Sequence, residues 1–141
     1  MPIAHTGIRS PAAQHPALVA WYEAALAPLG YSRGMEFLDG LVVGLKSADG
    51  AMDWWITSAE VKTPGNPGPA DADAKVLPTH TAFAAKDRAS VDAFHAAAVA
   101  AGGKCNGAPG VRREYSEPNY YAAFVLDPAG NNIEAVYNGP E

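Results

Sequence analysis

The chain has one cysteine, few basic residues and no long apolar run. A lone Cys105 cannot close an internal disulfide, so a reducing compartment is its natural setting and the cytoplasm is expected. Ten Lys and Arg stand against fifteen Asp and Glu, a formal charge of -5. That balance argues against a nucleic-acid partner, which needs clustered cations, and only Arg112-Arg113 approaches a basic cluster. No apolar stretch reaches the roughly 18 residues of a membrane span, and Met1-Pro2-Ile3 leads into strand-like sequence without the charged and apolar regions of a secretory signal. No membrane partner is therefore expected. A nucleophile elbow, a Walker loop and a strand-linked Gly-x-Gly-x-x-Gly are all missing, which leaves hydrolase and nucleotide-binding readings without local support.

What is present is enough for a core. The chain is 141 residues long, the size of one domain, and its 48% hydrophobic content argues against disorder. It also repeats itself. Ala4-His5-Thr6-Gly7-Ile8 returns as Thr79-His80-Thr81-Ala82-Phe83, and each copy precedes an alanine-rich helical stretch that stops at glycine, at Gly30 and at Gly102-Gly103.

The periodicities predict the same element order twice. Residues 2–8 read as a strand; Leu18, Trp21, Ala25 and Leu29 follow helical spacing up to Gly30. Strands follow at Phe37–Leu45 and Met52–Thr57, joined by a hairpin at Asp49-Gly50, with Tyr31–Glu36 as a further strand or its lead-in. Residues 58–78, rich in Pro, Gly, Asp and Ala, read as a linker. Then come a strand at Thr79–Ala84, an N-cap at Asp87 and a helical face of Val91, Phe94 and Ala98. A loose strand at Gly107–Arg112 follows, then strands at Tyr120–Leu126 and Asn132–Tyr137 around the turn Asp127-Pro128-Ala129-Gly130. The expectation is an α+β fold in a single domain, residues 1–141, with βαβββ modules at 1–57 and 79–138.

Two βαβββ units, a histidine opening each, and the closing FVLDPAGNNIEAV resemble the glyoxalase/bleomycin-resistance/dioxygenase, or vicinal oxygen chelate, superfamily. The resemblance spans essentially the whole chain and implies a cupped mixed sheet with the helices outside. It also implies a divalent metal ion (Zn, Mn, Fe, Ni or Co) held by His5, His80 and Glu134, two imidazoles and a carboxylate that leave positions open for substrate. Aligning Gly50 with Gly130 places Trp54 opposite Glu134, where an indole cannot be a fourth ligand.

That departure disfavours a four-ligand glyoxalase I site. The lack of further cup histidines disfavours ring cleavage, since His15 precedes the first helix and His95 lies within the second, facing solvent. Lyase or isomerase, dioxygenase and thiol-transferase chemistries all stay open. The expected activity is metal-dependent, on a small oxygen-bearing organic molecule, in a homodimer, with the site within one chain or shared between two. The alternative is a metal-free protein that sequesters a small molecule. Glu134 and Tyr121 are the candidate catalytic residues; Trp54, Tyr120 and Arg112 are the candidate substrate contacts. A tyrosine at 115 is a further possible donor. Trp54 and Trp55 cannot share a face, so one should pack under the helices and the other line the cup. Cys105 is expected to be inert, since only Lys104 stands near it in sequence to activate it.

Overall fold

The computed structural model describes residues 3–62, 76–113 and 119–140; Pro2, Tyr115 and most of the expected linker lie outside them. Its strands and long helices run β1 (Thr6–Ser10), α1 (His15–Leu26), β2 (Ser32–Phe37), β3 (Val42–Lys46) and β4 (Trp54–Ser58). The order repeats as β5 (His80–Ala84), α2 (Arg88–Ala100), β6 (Lys104–Val111), β7 (Tyr121–Leu126) and β8 (Asn132–Tyr137). Each βαβββ unit forms its own four-stranded mixed sheet, in the orders β1-β4-β3-β2 and β5-β8-β7-β6. The first and last strands of each unit pair in parallel and the others antiparallel, because the helix supplies the crossover that a parallel pair requires.

Local chemistry sets the element ends. Pro16 lies in the first turn of α1, where its missing N–H costs nothing. Beyond α1 a short 3-10 turn, Ala27–Leu29, closes on Gly30 at φ +88, a left-handed conformation that a side chain resists. At α2, Asp87 accepts the Ser90 backbone N–H at 2.7 Å. The continuous strand expected at Phe37–Leu45 is instead two, β2 and β3, because Leu38, Asp39 and Gly40 are all left-handed and turn the chain. The first strand starts later than expected, at Thr6, so His5 immediately precedes it.

The helices hold the two modules together. Leu18, Trp21, Tyr22, Ala25 and Leu26 of α1 and Val91, Phe94 and Ala98 of α2 are buried in one core with Ile8, Leu45, Trp54, Ile56, Phe83, Val125, Ile133 and Ala135 from the sheets. Burying each large side chain stabilises the fold by roughly 1.5–3 kcal/mol. Polar contacts cross the seam as well. The Trp21 indole donates to the Ala98 carbonyl at 2.9 Å, and the Tyr22 hydroxyl donates to Asp127 Oδ2 at 2.7 Å. Asp127 itself is buried in the β7–β8 turn, where Oδ1 accepts the backbone N–H of Ala129 and of Asn131. Alternation along the strands then leaves each sheet a second face, turned away from the helices.

Candidate functional site

On the second module this open face carries His80, Asn132, Glu134 and Phe124. Ile133 and Ala135 enter the core, so Glu134 between them points the other way. Its register partners are Ala82 on β5 and Phe124 on β7. Although on the open face, Glu134 is only 2% exposed. The Tyr120 hydroxyl donates to its Oε1 at 2.5 Å, and His80 Nε2 lies 3.2 Å from its Oε2.

The orientation of His80 follows from its other nitrogen. Nδ1 lies 2.9 Å from the Asn132 carbonyl, which can only accept, so Nδ1 carries the hydrogen. In the neutral ring Nε2 therefore presents a lone pair to the Glu134 carboxylate. Two acceptors at 3.2 Å repel unless a positive charge lies between or beside them, either a proton on Nε2 or a cation bound by both. The spacing suits either, since an N–H···O hydrogen bond reaches this length and donors each about 2.1 Å from one ion come to roughly this separation.

Phe124 forms the floor beside this pair. The His80 ring stacks on it from one direction, with centroids 6.3 Å apart, and the Arg112 guanidinium lies 5.3 Å from its centre. Arg112 Nη2 donates to the carbonyls of Ala108 and Ala122, while its buried Nε has no partner among the described residues. The side-chain amide of Asn106 donates to that of Asn132 at the edge of the same face.

Of the residues singled out from sequence, His80, Glu134, Tyr120 and Arg112 thus come together. Three do not join them. Tyr121 faces the helices: its hydroxyl donates to Asp92 of α2 at 2.7 Å, and this bond, more than burial, raises its pKa. Its expected catalytic role is corrected accordingly, and the hydroxyl at Glu134 belongs to Tyr120. Trp54 is also corrected. It is 1% exposed and packs in the core against Tyr22 and Phe83, so it cannot line the open face. The residue equivalent to Glu134 is Trp55: it pairs with Gly7 and Gly44 as Glu134 pairs with Ala82 and Phe124. The hairpin after Gly50 is one residue longer than that after Gly130, which shifts the alignment.

His5 is exposed and lies elsewhere, beside Thr6, Gly7, Arg9, Val42, Trp55 and Thr57 on the open face of the first module. Among the described residues no three His, Cys, Asp or Glu side chains converge as a metal-holding group. The first module's open face is aromatic instead. Trp55 stacks on Phe37 with centroids 6.1 Å apart and planes inclined by 17°. Its indole passes so close to β3 that a Cβ on Gly44 would lie 2.8 Å from the ring, which is why glycine stands there.

The other two histidines have partners. His15 is buried; its Nε2–H donates to the Gly40 carbonyl at 2.7 Å, leaving Nδ1 to accept from the Ser10 hydroxyl at 2.6 Å. His95, expected to face solvent, has Nε2 3.2 Å from the sulfur of Cys105.

Comparison with known proteins agrees with this architecture. The family model of the Glyoxalase/Bleomycin resistance protein/Dioxygenase superfamily matches residues 3–135. A glyoxalase/bleomycin resistance protein from Albidiferax ferrireducens T118 is 28% identical, with a TM-score of 0.64 over 95% of this chain and 98% of its own. A glyoxalase/bleomycin resistance protein/dioxygenase family enzyme from Burkholderia phytofirmans PsJN is 16% identical, with a TM-score of 0.69 over 99% and 100%. A lactoylglutathione lyase from Agrobacterium tumefaciens is 20% identical, with a TM-score of 0.64 over 94% and 90%. Among curated proteins none matches. No helix among the described residues is long and apolar enough to cross a membrane.

Proposed function

Because the chain belongs to the glyoxalase/bleomycin resistance protein/dioxygenase superfamily, we propose that it is a metal-dependent enzyme acting on a small oxygen-bearing organic molecule. His80 and Glu134 are two of the ligands, and His5 of the partner subunit completes the set in a homodimer. The single observation that carries this reading is the buried Glu134 carboxylate facing His80 Nε2 at 3.2 Å, two acceptors that a shared cation reconciles. The shared arrangement is supported by the sheet edges. Among the described residues β1 pairs only with β4, and β5 only with β8, so each keeps a free edge that a second copy can cover. Exposed Ile3, Met35, Phe37 and Leu38 add apolar surface for the same purpose.

A divalent ion bound there supplies Lewis-acid polarisation of a substrate oxygen. The chain's own residues do the rest. Tyr120 occupies Oε1 of Glu134 and fixes the carboxylate, leaving Oε2 to ligate. Asn132 fixes the His80 ring through Nδ1. Phe124 offers an apolar face to the substrate body, and Arg112 above it offers positive charge to a substrate anion.

Elemental analysis tests the proposal. About one Zn, Mn, Fe, Ni or Co per chain is expected, lost in Glu134→Ala; His80→Ala weakens metal affinity far more than His95→Ala. A second reading, metal-free sequestration of a small aromatic compound, is favoured by the Trp55–Phe37 stack on the first module. It takes over if protein loaded with each of these metals retains none.

A further inference from the structure

A cavity lies at the seam between the modules, and neither His80 nor Glu134 is in its lining. It has a volume of about 530 Å³, within the range of small-molecule sites. Leu29, Tyr31, Trp54 and Phe83 give it an apolar, largely aromatic wall. Thr6, Trp54 and Phe83 sit on strand positions that face the helices, so the cavity reaches beside the core, while Ala82, the register partner of Glu134, borders it from the other face of β5. The aromatic wall is well ordered by edge contacts: Phe83 meets Trp54 at 5.0 Å and Tyr31 at 5.5 Å between ring centres.

Two hydrogen-bonding atoms of the lining residues are buried and, among the described residues, have no partner: Trp54 Nε1 and Asp53 Oδ1. Buried polar atoms left in this state are costly, and a native fold rarely keeps two side by side in sequence. The other Asp53 oxygen is occupied. The Tyr31 hydroxyl donates to Oδ2 at 3.3 Å, and burial together with Asp53 holds that phenol well above its ordinary pKa. Tyr31 thus stays a donor, and Oδ1 is left to accept from something else.

We infer that this cavity binds a small, mostly apolar molecule bearing a hydroxyl group, with its hydrocarbon body against Trp54, Tyr31 and Phe83. A hydroxyl is the simplest group that both donates, as the carboxylate needs, and accepts, as the indole N–H needs. A hydrocarbon satisfies neither atom, and an anion would meet the Asp53 carboxylate. The site uses neither His80 nor Glu134, although His5, the third ligand in the metal proposal, also lines the cavity.

The test is a titration of the 15N-labelled protein with p-cresol and, separately, toluene, read at the indole N–H signals. Trp21 and Trp55 donate to the carbonyls of Ala98 and Met52, so Trp54 alone of the three tryptophans has an indole N–H in need of a partner. Trp54→Phe identifies its signal. The expected result is that p-cresol shifts the Trp54 signal saturably while those of Trp21 and Trp55 stay in place, and that toluene binds at least tenfold more weakly. Asp53→Ala should remove that preference. Equal affinity for the two compounds, or no saturable shift with p-cresol, overturns the inference. The comparison of compounds on the unaltered protein decides the matter even if Asp53→Ala fails to fold.

Discussion

Replacing Tyr22 with phenylalanine isolates one strut between the modules. The ring stays, and with it the contacts to Trp21 and Trp54 at 4.9 and 5.4 Å between centres. Only the hydroxyl that donates to Asp127 is lost. A hydrogen bond to a charged acceptor contributes about 1.5–3 kcal/mol. Asp127 keeps the two backbone donors on Oδ1 and the Asn131 amide on Oδ2, so its charge is not stranded. The expected loss is therefore about 2 kcal/mol, which lowers Tm by roughly 7 °C for a domain of this size. Urea unfolding followed by tryptophan emission should show a lower midpoint at an unchanged slope. Adding Asp127→Asn to both backgrounds should show coupling, since the two residues share the bond. A loss below about 0.5 kcal/mol with no coupling would refute the reasoning, because it would mean the modules are not tied through this pair.

Alkaline stability follows from the same group. Burial first, then Asp127, raises the Tyr22 pKa well above 10.0, so its stabilising effect is complete below pH 10.0 and is lost as pH rises towards the folded-state value. The wild-type unfolding free energy should fall above pH 10, and less steeply in Tyr22→Phe; equal slopes would contradict this. Gly44→Ala should cost about 2 kcal/mol by pressing a methyl group against the Trp55 ring and Met52, and should shift Trp55 emission. Unchanged stability and emission would show that the ring yields freely. Cys105 is exposed with the His95 imidazole at its sulfur, so His95→Ala should slow its alkylation by iodoacetamide several-fold at neutral pH, an effect absent if the contact is only structural.

Much of the fold was legible because the repeat is written in core residues. Leu18, Trp21 and Ala25 recur as Val91, Phe94 and Ala98, and all six are buried. The turn at Asp127–Gly130 was equally plain, and it pairs Phe124 with Glu134. Counting residues back from that turn finds Phe124, which the reading by residue type alone passed over. Tyr120 and Tyr121 were both visible, but their roles depend on which one starts the face that meets α2. Trp54 and Trp55 were separated in principle by alternation, yet a one-residue difference in hairpin length decided which was which. The placement of His5 was not legible at all, because it depends on how two sheets are arranged in space and not on the pattern within either. Similarly, the contact of His95 with Cys105 joins a helix to a strand ten residues later, where no periodicity points from one to the other.

The most direct measurement is the metal content of mixed dimers formed by co-expressing His5→Ala chains with Glu134→Ala chains, purified through two different tags. If the site joins His80 and Glu134 of one chain to His5 of the partner subunit, one intact set survives in each mixed dimer. About one ion per dimer is then expected, with far less in either variant alone. A mixed dimer that holds no more metal than the separate variants, or chains that never pair, would contradict the shared site.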